Sequence, residues 1–358
     1  MGLSRLLVGL FLFLVSNLSL ALAQPEKIGI PLPLTGANMA AGTDIQRGFE
    51  LAREMLGITD LSLVYEDDAC DSTKSVSATK RLLEVGKVSL ISGIYCNQAL
   101  LAAAPILNKA GIPVLTVGAT TGDQTGVGPK VFRLFPADQL ALRPLIPEMA
   151  KRGKKLCVVT ESEAYSELIE RTIKREWTAQ GGGGAIVTDS VNSGERDFRT
   201  PLLRVMKSSC DAVLLNTAGD DGFISAYRQL RMLNKEVPVF ALYYPGSATV
   251  QKALGESLRG VRYADLPAWS ELVTPLGADF VSQYKARYGS FLMAQPVALL
   301  AFEAMRLMHQ AHKEGVPLDQ LLRRGPIKDG ALREYRFDSD GAVQGIDFTV
   351  LTYPSASS

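Results

Sequence analysis

The stretch YEDDACDSTKSV, residues 65–76, gathers Glu66, Asp67, Asp68 and Asp71 around a single thiol, Cys70. Carboxylates this dense hold a hard cation when they fall on alternate loop positions, with a glycine at the sixth and a glutamate at the twelfth. Counted from Asp67, the chain has Ala69, Asp71, Ser72 and Ala78 at the third, fifth, sixth and twelfth positions, which excludes a calcium loop of that type. The segment fits better as scaffold. Asp71 or Ser72 is placed to cap a helix beginning near Thr73 by accepting first-turn amide hydrogens, with the other carboxylates left in water at the end of a strand.

Catalytic chemistry finds little footing elsewhere. His309 and His312, the two histidines of the chain, share a face of "AFEAMRLMHQAHKE" at i, i+3, but no third ligand lies near them, so a solvated helix face is expected and no metal. A nucleophile elbow is absent, and "GESLRG" (255–260) has the wrong spacing for one. The run Gly181–Gly184 lacks the Lys-Ser/Thr of a phosphate loop and precedes a strand, as a helix-to-strand turn does. No cofactor is implied, no catalytic residue is assigned, and binding without turnover is the expected class.

What remains is a set of groups suited to holding a small molecule. "TVGATTG" (116–122) offers close backbone approach at Gly118 and Ala119 and hydroxyls at Thr120 and Thr121. "YCNQA" puts Asn97 at the start of a helix, where free amide hydrogens favour a carboxylate. "EAYSE" and "LYYPG" put Tyr165 and Tyr244 at comparable places further along. Each is ordinary alone, yet all sit at carboxyl ends of strands, where open α/β sheets bind ligands.

The elements that must position these groups alternate. Strand-like runs "KIGIPLPL", "LSLVYE", "VSLIS", "IPVLTV", "KLCVVT", "AIVTDSV", "DAVLLNT" and "PVFALYY" are separated by helical stretches at 42–56, 97–110, 138–152, 165–180, 197–207 and 220–234. This is the pattern of βαβ units and parallel sheets. A seam interrupts it: a Gly-rich loop at 122–129, a lone strand "KVFRLF" and a proline at 136 precede a second alternating series. After "RGVRYADLP" come two long helices, 274–288 and 295–314, then the runs "REYRFD" and "GIDFTVL". The expected fold class is therefore α/β, two doubly wound parallel-sheet lobes joined by three hinge crossovers near 135, 266 and 340. Lobe 1 would comprise 24–135 plus 267–340, and lobe 2 would comprise 136–266 plus 341–358, with a ligand cleft between them.

Compartment and partners follow from the ends and the charge. Arg5, the apolar run Leu6–Val15 and the site Ala21-Leu22-Ala23 read as a secretory signal peptide, residues 1–23, cleaved before Gln24. The run is shorter than a spanning helix needs. Removing it takes the formal charge from +1 to 0, since it holds one base and no acid, and gives no footprint for nucleic acid or anionic membrane. An exported chain permits disulfides. Cys70 and Cys96 follow two strand-like runs and are paired, whereas Cys157 and Cys210 begin two later ones and form either a second pair or two buried thiols.

The segment "YEDDACDSTKSVSATKRLLEVGKVSLISGIYCNQ" resembles the periplasmic leucine/isoleucine/valine-binding proteins, the type I solute-binding proteins of ABC importers. "PLPLTGANMAAGTDIQRGFELA", "PVLTVGATTGDQT" and "SGERDFRTPLLRV" look like segments of that family too, so the likeness spans essentially the whole mature chain. It implies hinge closure on a small molecule, an amino acid or a related carboxylate or amide, and delivery to an inner-membrane ABC permease by a periplasmic protein expected to be a monomer. It also implies that Cys70 pairs with Cys96 beside the pocket.

Carried over by position, the resemblance gives Asn97 for a usual serine, Gly118 for a backbone carbonyl donor, and matching Thr120 and Tyr165. The family's ammonium-binding glutamate falls on Tyr244, a second pocket tyrosine on Ala218 and an N-terminal aromatic on about Ala41. Either Asp220 or Asp221 then supplies the missing charge, or the ligand carries no ammonium. Two alternatives differ in class: a sensor signalling to a membrane receptor, and an exported hydrolase using Asp220 or Asp221.

Overall fold

The structure, a computed structural model, describes residues 25–120, 127–267, 269–293 and 296–354. The signal segment, Gln24 and Thr121 lie outside the described residues. Strands β1 (Glu26–Leu32), β2 (Leu61–Asp67), β3 (Leu90–Gly93), β4 (Val114–Thr116) and β5 (Val131–Arg133) form one parallel sheet in the order β2-β1-β3-β4-β5. Three helices connect them: α1 (Met39–Met55), α2 (Ser72–Arg81) and α3 (Asn97–Ala110). β1 is buried from Ile28 to Leu32, as expected of a central strand covered on both faces.

The second sheet has the order β13-β10-β9-β8-β6-β7. It uses β6 (Leu156–Ser162), β7 (Ile186–Asn192), β8 (Ala212–Asn216), β9 (Val239–Leu242) and β10 (Arg262–Asp265), all parallel, and β13 (Thr349–Thr352), antiparallel at the edge. Helices α4 (Leu142–Ala150), α5 (Ala164–Glu176), α6 (Arg199–Met206), α7 (Asp220–Leu233) and the short α8 (Ala248–Leu254) cover it. The fold is thus the expected pair of parallel-sheet α/β lobes.

The chain passes between the sheets three times: after β5, after β10, and between β12 and β13. The middle return brings α9 (Trp269–Leu272), α10 (Pro275–Tyr288), α11 (Val297–Glu314), α12 (Leu318–Leu322) and the antiparallel pair β11 (Arg336–Phe337) and β12 (Val343–Gln344). Ala342 bridges to Arg133, which attaches this return to the first sheet.

Packing explains why the return docks there. α11 is apolar along its first half, with Val297–Met305 buried, and lies against α1 at Gly48, where an added Cβ would stand 2.3 Å from the Ala298 carbonyl oxygen. Two buried carboxylates brace this region, Asp44 tying α1 to the return and Glu303 tying the return's own segments together. Asp44 accepts from the Tyr284 hydroxyl at 2.5 Å and from the amides of Leu292 and Met293. Glu303 accepts from the Tyr335 hydroxyl at 2.5 Å, the Ala331 amide at 2.7 Å and Arg306 at 2.6 Å.

The acidic segment is scaffold, with one correction. Asp71 caps α2, accepting from the Lys74 amide at 2.8 Å. Its neighbours do not stay in water. Asp67 ties down the loop after β1 by accepting from the Leu34 amide at 2.9 Å and the Thr35 hydroxyl at 2.6 Å, and Asp68 is fully buried with its Oδ1 on the Cys70 amide. Burial pushes the Asp68 carboxyl up to about 6, against the pull of that hydrogen bond. The turn needs these bonds because Ala69 and Cys70 adopt left-handed backbone, with φ of 47° and 56°. The histidine face is likewise engaged: His312 Nδ1 lies 2.7 Å from Glu26 and His309 Nε2 3.3 Å from Asp60, joining α11 to the starts of β1 and β2.

Both cysteine pairs are disulfides, with Cα atoms 5.5 Å apart for Cys70–Cys96 and 5.7 Å for Cys157–Cys210. One staples each lobe.

Candidate functional site

A cleft of about 570 Å³, including its solvent-open part, lies where the carboxyl ends of the two sheets face each other. The turn after β3 contributes Tyr95, Cys96, Asn97 and Gln98, and the turn after β4 contributes Gly118. From the second sheet, the turn after β6 contributes Glu163 and Tyr165, that after β8 contributes Ala218, and that after β9 contributes Tyr243 and Tyr244. Phe135 and Asp138, from the first crossover, close the back, and Asn38 stands at the entrance of α1. Side chains of both lobes therefore meet around one space, as a parallel-sheet architecture favours.

The first-lobe wall is tightly knit. Asn97 Oδ1 accepts from the Thr120 amide at 2.6 Å, and the Thr116 hydroxyl donates to the Ala119 carbonyl at 2.7 Å. The Thr120 hydroxyl donates to Asp138 Oδ2, which Asn97 Nδ2 also approaches at 3.5 Å. The Tyr243 hydroxyl donates to Asp138 Oδ1 at 2.8 Å. Asp138 is thus a buried junction of both lobes. Burial pushes its carboxyl up to about 6, while bonds from Thr120, Tyr243 and Asn97 hold it lower than burial alone would. Gly118 leaves room for the Tyr95 ring, whose Cδ2 would lie 2.3 Å from an added Cβ.

The second-lobe wall is less saturated. Tyr165 is buried, and its hydroxyl nears that of Tyr244 without hydrogen-bond geometry. Tyr165, Tyr243 and Tyr244 are all pushed well above the ordinary tyrosine range by burial, so they are neutral hydroxyls. Glu163, immediately before α5, receives no hydrogen bond from any described residue. Burial, then the charges of Glu161 and Asp138, push its carboxyl up to about 7. Behind it, Glu161 is 2% exposed and accepts from Arg196 at 3.1 Å, the Gly194 amide at 2.8 Å and the Ala218 amide at 3.1 Å, fixing the wall at Ala218.

Tyr243 also links the cleft to the crossovers. It holds a strained φ of 41°, and its ring packs on Phe135 and Phe348 of the first and third crossovers, with centroids 6.0 and 5.9 Å away. Its amide donates to Ala264 beside the second.

Of the residues expected at the site, Asn97, Gly118, Tyr165 and Tyr244 line the cleft. Ala119 and Thr120 are fully buried behind that wall, their polar groups engaged with Ile94, Thr116, Asn97 and Asp138. Asp220 begins α7 away from the lining. Burial pushes its carboxyl up to about 6 against bonds from Ser247 and Thr249, while one carboxylate oxygen has no partner. Ala41 is buried inside α1, and Asn38 takes the place at the cleft that an N-terminal aromatic was expected to leave. Sequence reasoning passed over Tyr95, Asp138, Glu163 and Tyr243. Their position beside predicted strand ends was the available signal, as in "SEAYSE" and "PADQL", but an acid before a helix reads as a cap.

The family description "Periplasmic binding protein" matches residues 25–339, so the chain belongs to that family. A curated relative, the Leu/Ile/Val-binding protein homolog 8 of Brucella abortus (strain 2308), is 28% identical over 315 residues, spanning 81% of this chain and 77% of the relative. Among solved structures, a leucine-binding protein LivK from Thermotoga maritima is similar with a TM-score of 0.81 at 23% identity, covering 93% of this chain and 96% of the other. A Rhodopseudomonas palustris ABC-transporter solute-binding protein in complex with benzoate is similar with a TM-score of 0.79 at 21% identity, covering 92% and 93%. These likenesses establish the type I periplasmic-binding fold. No helix among the described residues is long and apolar enough to cross a membrane.

Proposed function

We propose that the chain is the periplasmic ligand-capturing component of an ABC importer, closing its lobes on an amino acid or a related small carboxylate or amide. The carrying observation is that side chains of both sheets line one cleft whose second wall holds the Tyr165 hydroxyl and the Glu163 carboxylate without a hydrogen-bond partner among the described residues. Asn97 and the free amides at the start of α3 face the ligand's oxygen atoms, Gly118 offers its carbonyl, and Tyr165 and Tyr244 close from the other lobe. Asp220 acts at a distance, and Ala119 and Thr120 hold the platform. The signal peptide is removed before Gln24, the mature protein is a monomer, and an inner-membrane permease receives the ligand. The lobes divide near 135, 266 and 340 and rotate there, with the third hinge extending toward Phe348.

Thermal unfolding of the ligand-stripped mature chain against amino acids, des-amino acids and amides tests this reading. A true ligand at ~100 times its dissociation constant adds ~2.7 kcal/mol, and small-angle scattering should then show a smaller radius of gyration. Neither a thermal shift nor compaction with any compound would refute it.

A further inference from the structure

The cleft contains one acidic group that no described residue answers. Its lining carries two carboxylates, Asp138 and Glu163, and no lysine, arginine or histidine among the described residues. Asp138 is satisfied on both oxygens by Tyr243, Thr120 and Asn97. Glu163 is not. The neighbouring base, Arg196, is engaged by Glu161, and the charges that reach Glu163 are the like charges of Glu161 and Asp138. Around it stand the tyrosines Tyr95, Tyr165 and Tyr244, each of which feels its charge.

A half-buried carboxylate that shares a cleft with these rings and has no counter-ion is costly to ionise. A ligand bringing positive charge relieves that cost, and the electron-rich ring faces add to the attraction. A ligand bringing a second carboxylate to the same place worsens it. The five rings of Tyr95, Phe135, Tyr165, Tyr243 and Tyr244 suit an apolar body next to the charge.

We propose that Glu163 selects the ligand by charge: the cleft takes a protonated amine on an aromatic or branched apolar body, its ammonium meeting the Glu163 carboxylate, and discriminates against the same body without an amine. The proposal rests on the binding-protein reading above and narrows its ligand to the amine-bearing class. It also moves the anion from Asp220 or Asp221, where the sequence suggested it, to the turn before α5.

Calorimetric titration of the stripped mature chain with matched pairs tests it: phenylalanine with 3-phenylpropionate, leucine with 4-methylpentanoate, and phenethylamine with 3-phenylpropan-1-ol. Wild type should prefer the amine of at least one pair by about 100-fold, the scale of a buried charge pair. Glu163→Gln should erase that preference, and Glu163→Asp should retain most of it. Tighter binding of the amine-free compounds, or an undiminished preference in Glu163→Gln, overturns the proposal and leaves the binding-protein reading standing. Binding of no compound overturns both. Should the Gln variant fail to fold, the wild-type ratios and the Asp variant still decide.

Discussion

The two walls of the cleft differ in how they treat buried polar groups. On the first-lobe side every named donor meets an acceptor: Thr120 to Asn97 and Asp138, Thr116 to Ala119, Ala119 to Ile94. The Cys70–Cys96 staple ends one residue before Asn97. On the second-lobe side the Tyr165 hydroxyl has no partner among the described residues, and the half-buried Glu163 carboxylate receives no hydrogen bond from them. Buried polar groups are rarely left so without reason. The first wall is a preorganised platform whose side chains are bonded to one another without ligand, leaving the backbone groups of the α3 start and Gly118 to meet it. The second is a recognition face whose bonding a ligand completes.

The largest effects expected concern the two staples. The loop-entropy argument gives about 3.5 kcal/mol for the 26-residue separation of Cys70–Cys96 and about 4 kcal/mol for the 53-residue separation of Cys157–Cys210. Replacing either pair by serine should therefore lower the urea midpoint by similar amounts. Affinity should separate them: loss of Cys70–Cys96 frees the platform at Asn97 and weakens binding, whereas loss of Cys157–Cys210, at the far end of β6, leaves binding nearly intact. Equal losses of affinity would erase the distinction between platform and staple.

A smaller effect compares two tyrosines whose rings lie 6.4 Å apart, Tyr165 and Tyr243. Tyr243→Phe removes the bond to a buried carboxylate and should cost about 1.5–3 kcal/mol in chemical denaturation without ligand. Tyr165→Phe removes a hydroxyl with no partner among the described residues, so unliganded stability should change by less than about 0.5 kcal/mol while ligand affinity falls. The reverse ranking would show that the second wall is saturated after all.

These particulars mark what the sequence could and could not reveal. Local chemistry was legible: α3 spans the expected 97–110, Asp71 caps α2, and the turns at strand ends supplied Asn97, Gly118, Tyr165 and Tyr244. Short elements without periodicity were not, so "REYRFD" yields two paired residues and α8 went unseen. Asp138 and Glu163 escaped for a different reason. Each precedes or opens a helical turn, where acids are common, and only the facing of the two sheets around one cleft buries Asp138 and takes Glu163 half out of water. Thr120 shows the converse effect: its nearness to the cleft was visible, and the Asp138 carboxylate that engages it behind the wall was not.

Glu163 gives the smallest and most diagnostic effect, because it separates the stability of the empty protein from its binding. Its carboxyl rises from 4.5 in the ordinary state to about 7 in the fold, so the folded state holds the proton more tightly. The resulting stabilisation is full below pH 4.5 and is lost as pH rises through 7. Asp138 and Asp220, each raised to about 6, and Asp265, raised to about 7 by burial, slope the same way. Comparing Glu163→Gln with wild type cancels those shared slopes. The difference should be near zero at pH 4.5 and should grow to about 1–2 kcal/mol in favour of glutamine by pH 8, after discounting for the partial solvent reach of the side chain. Urea unfolding at the two pH values measures it. A pH-independent difference would mean that Glu163 already has its counter-ion within the protein, and the two walls of the cleft would then be alike.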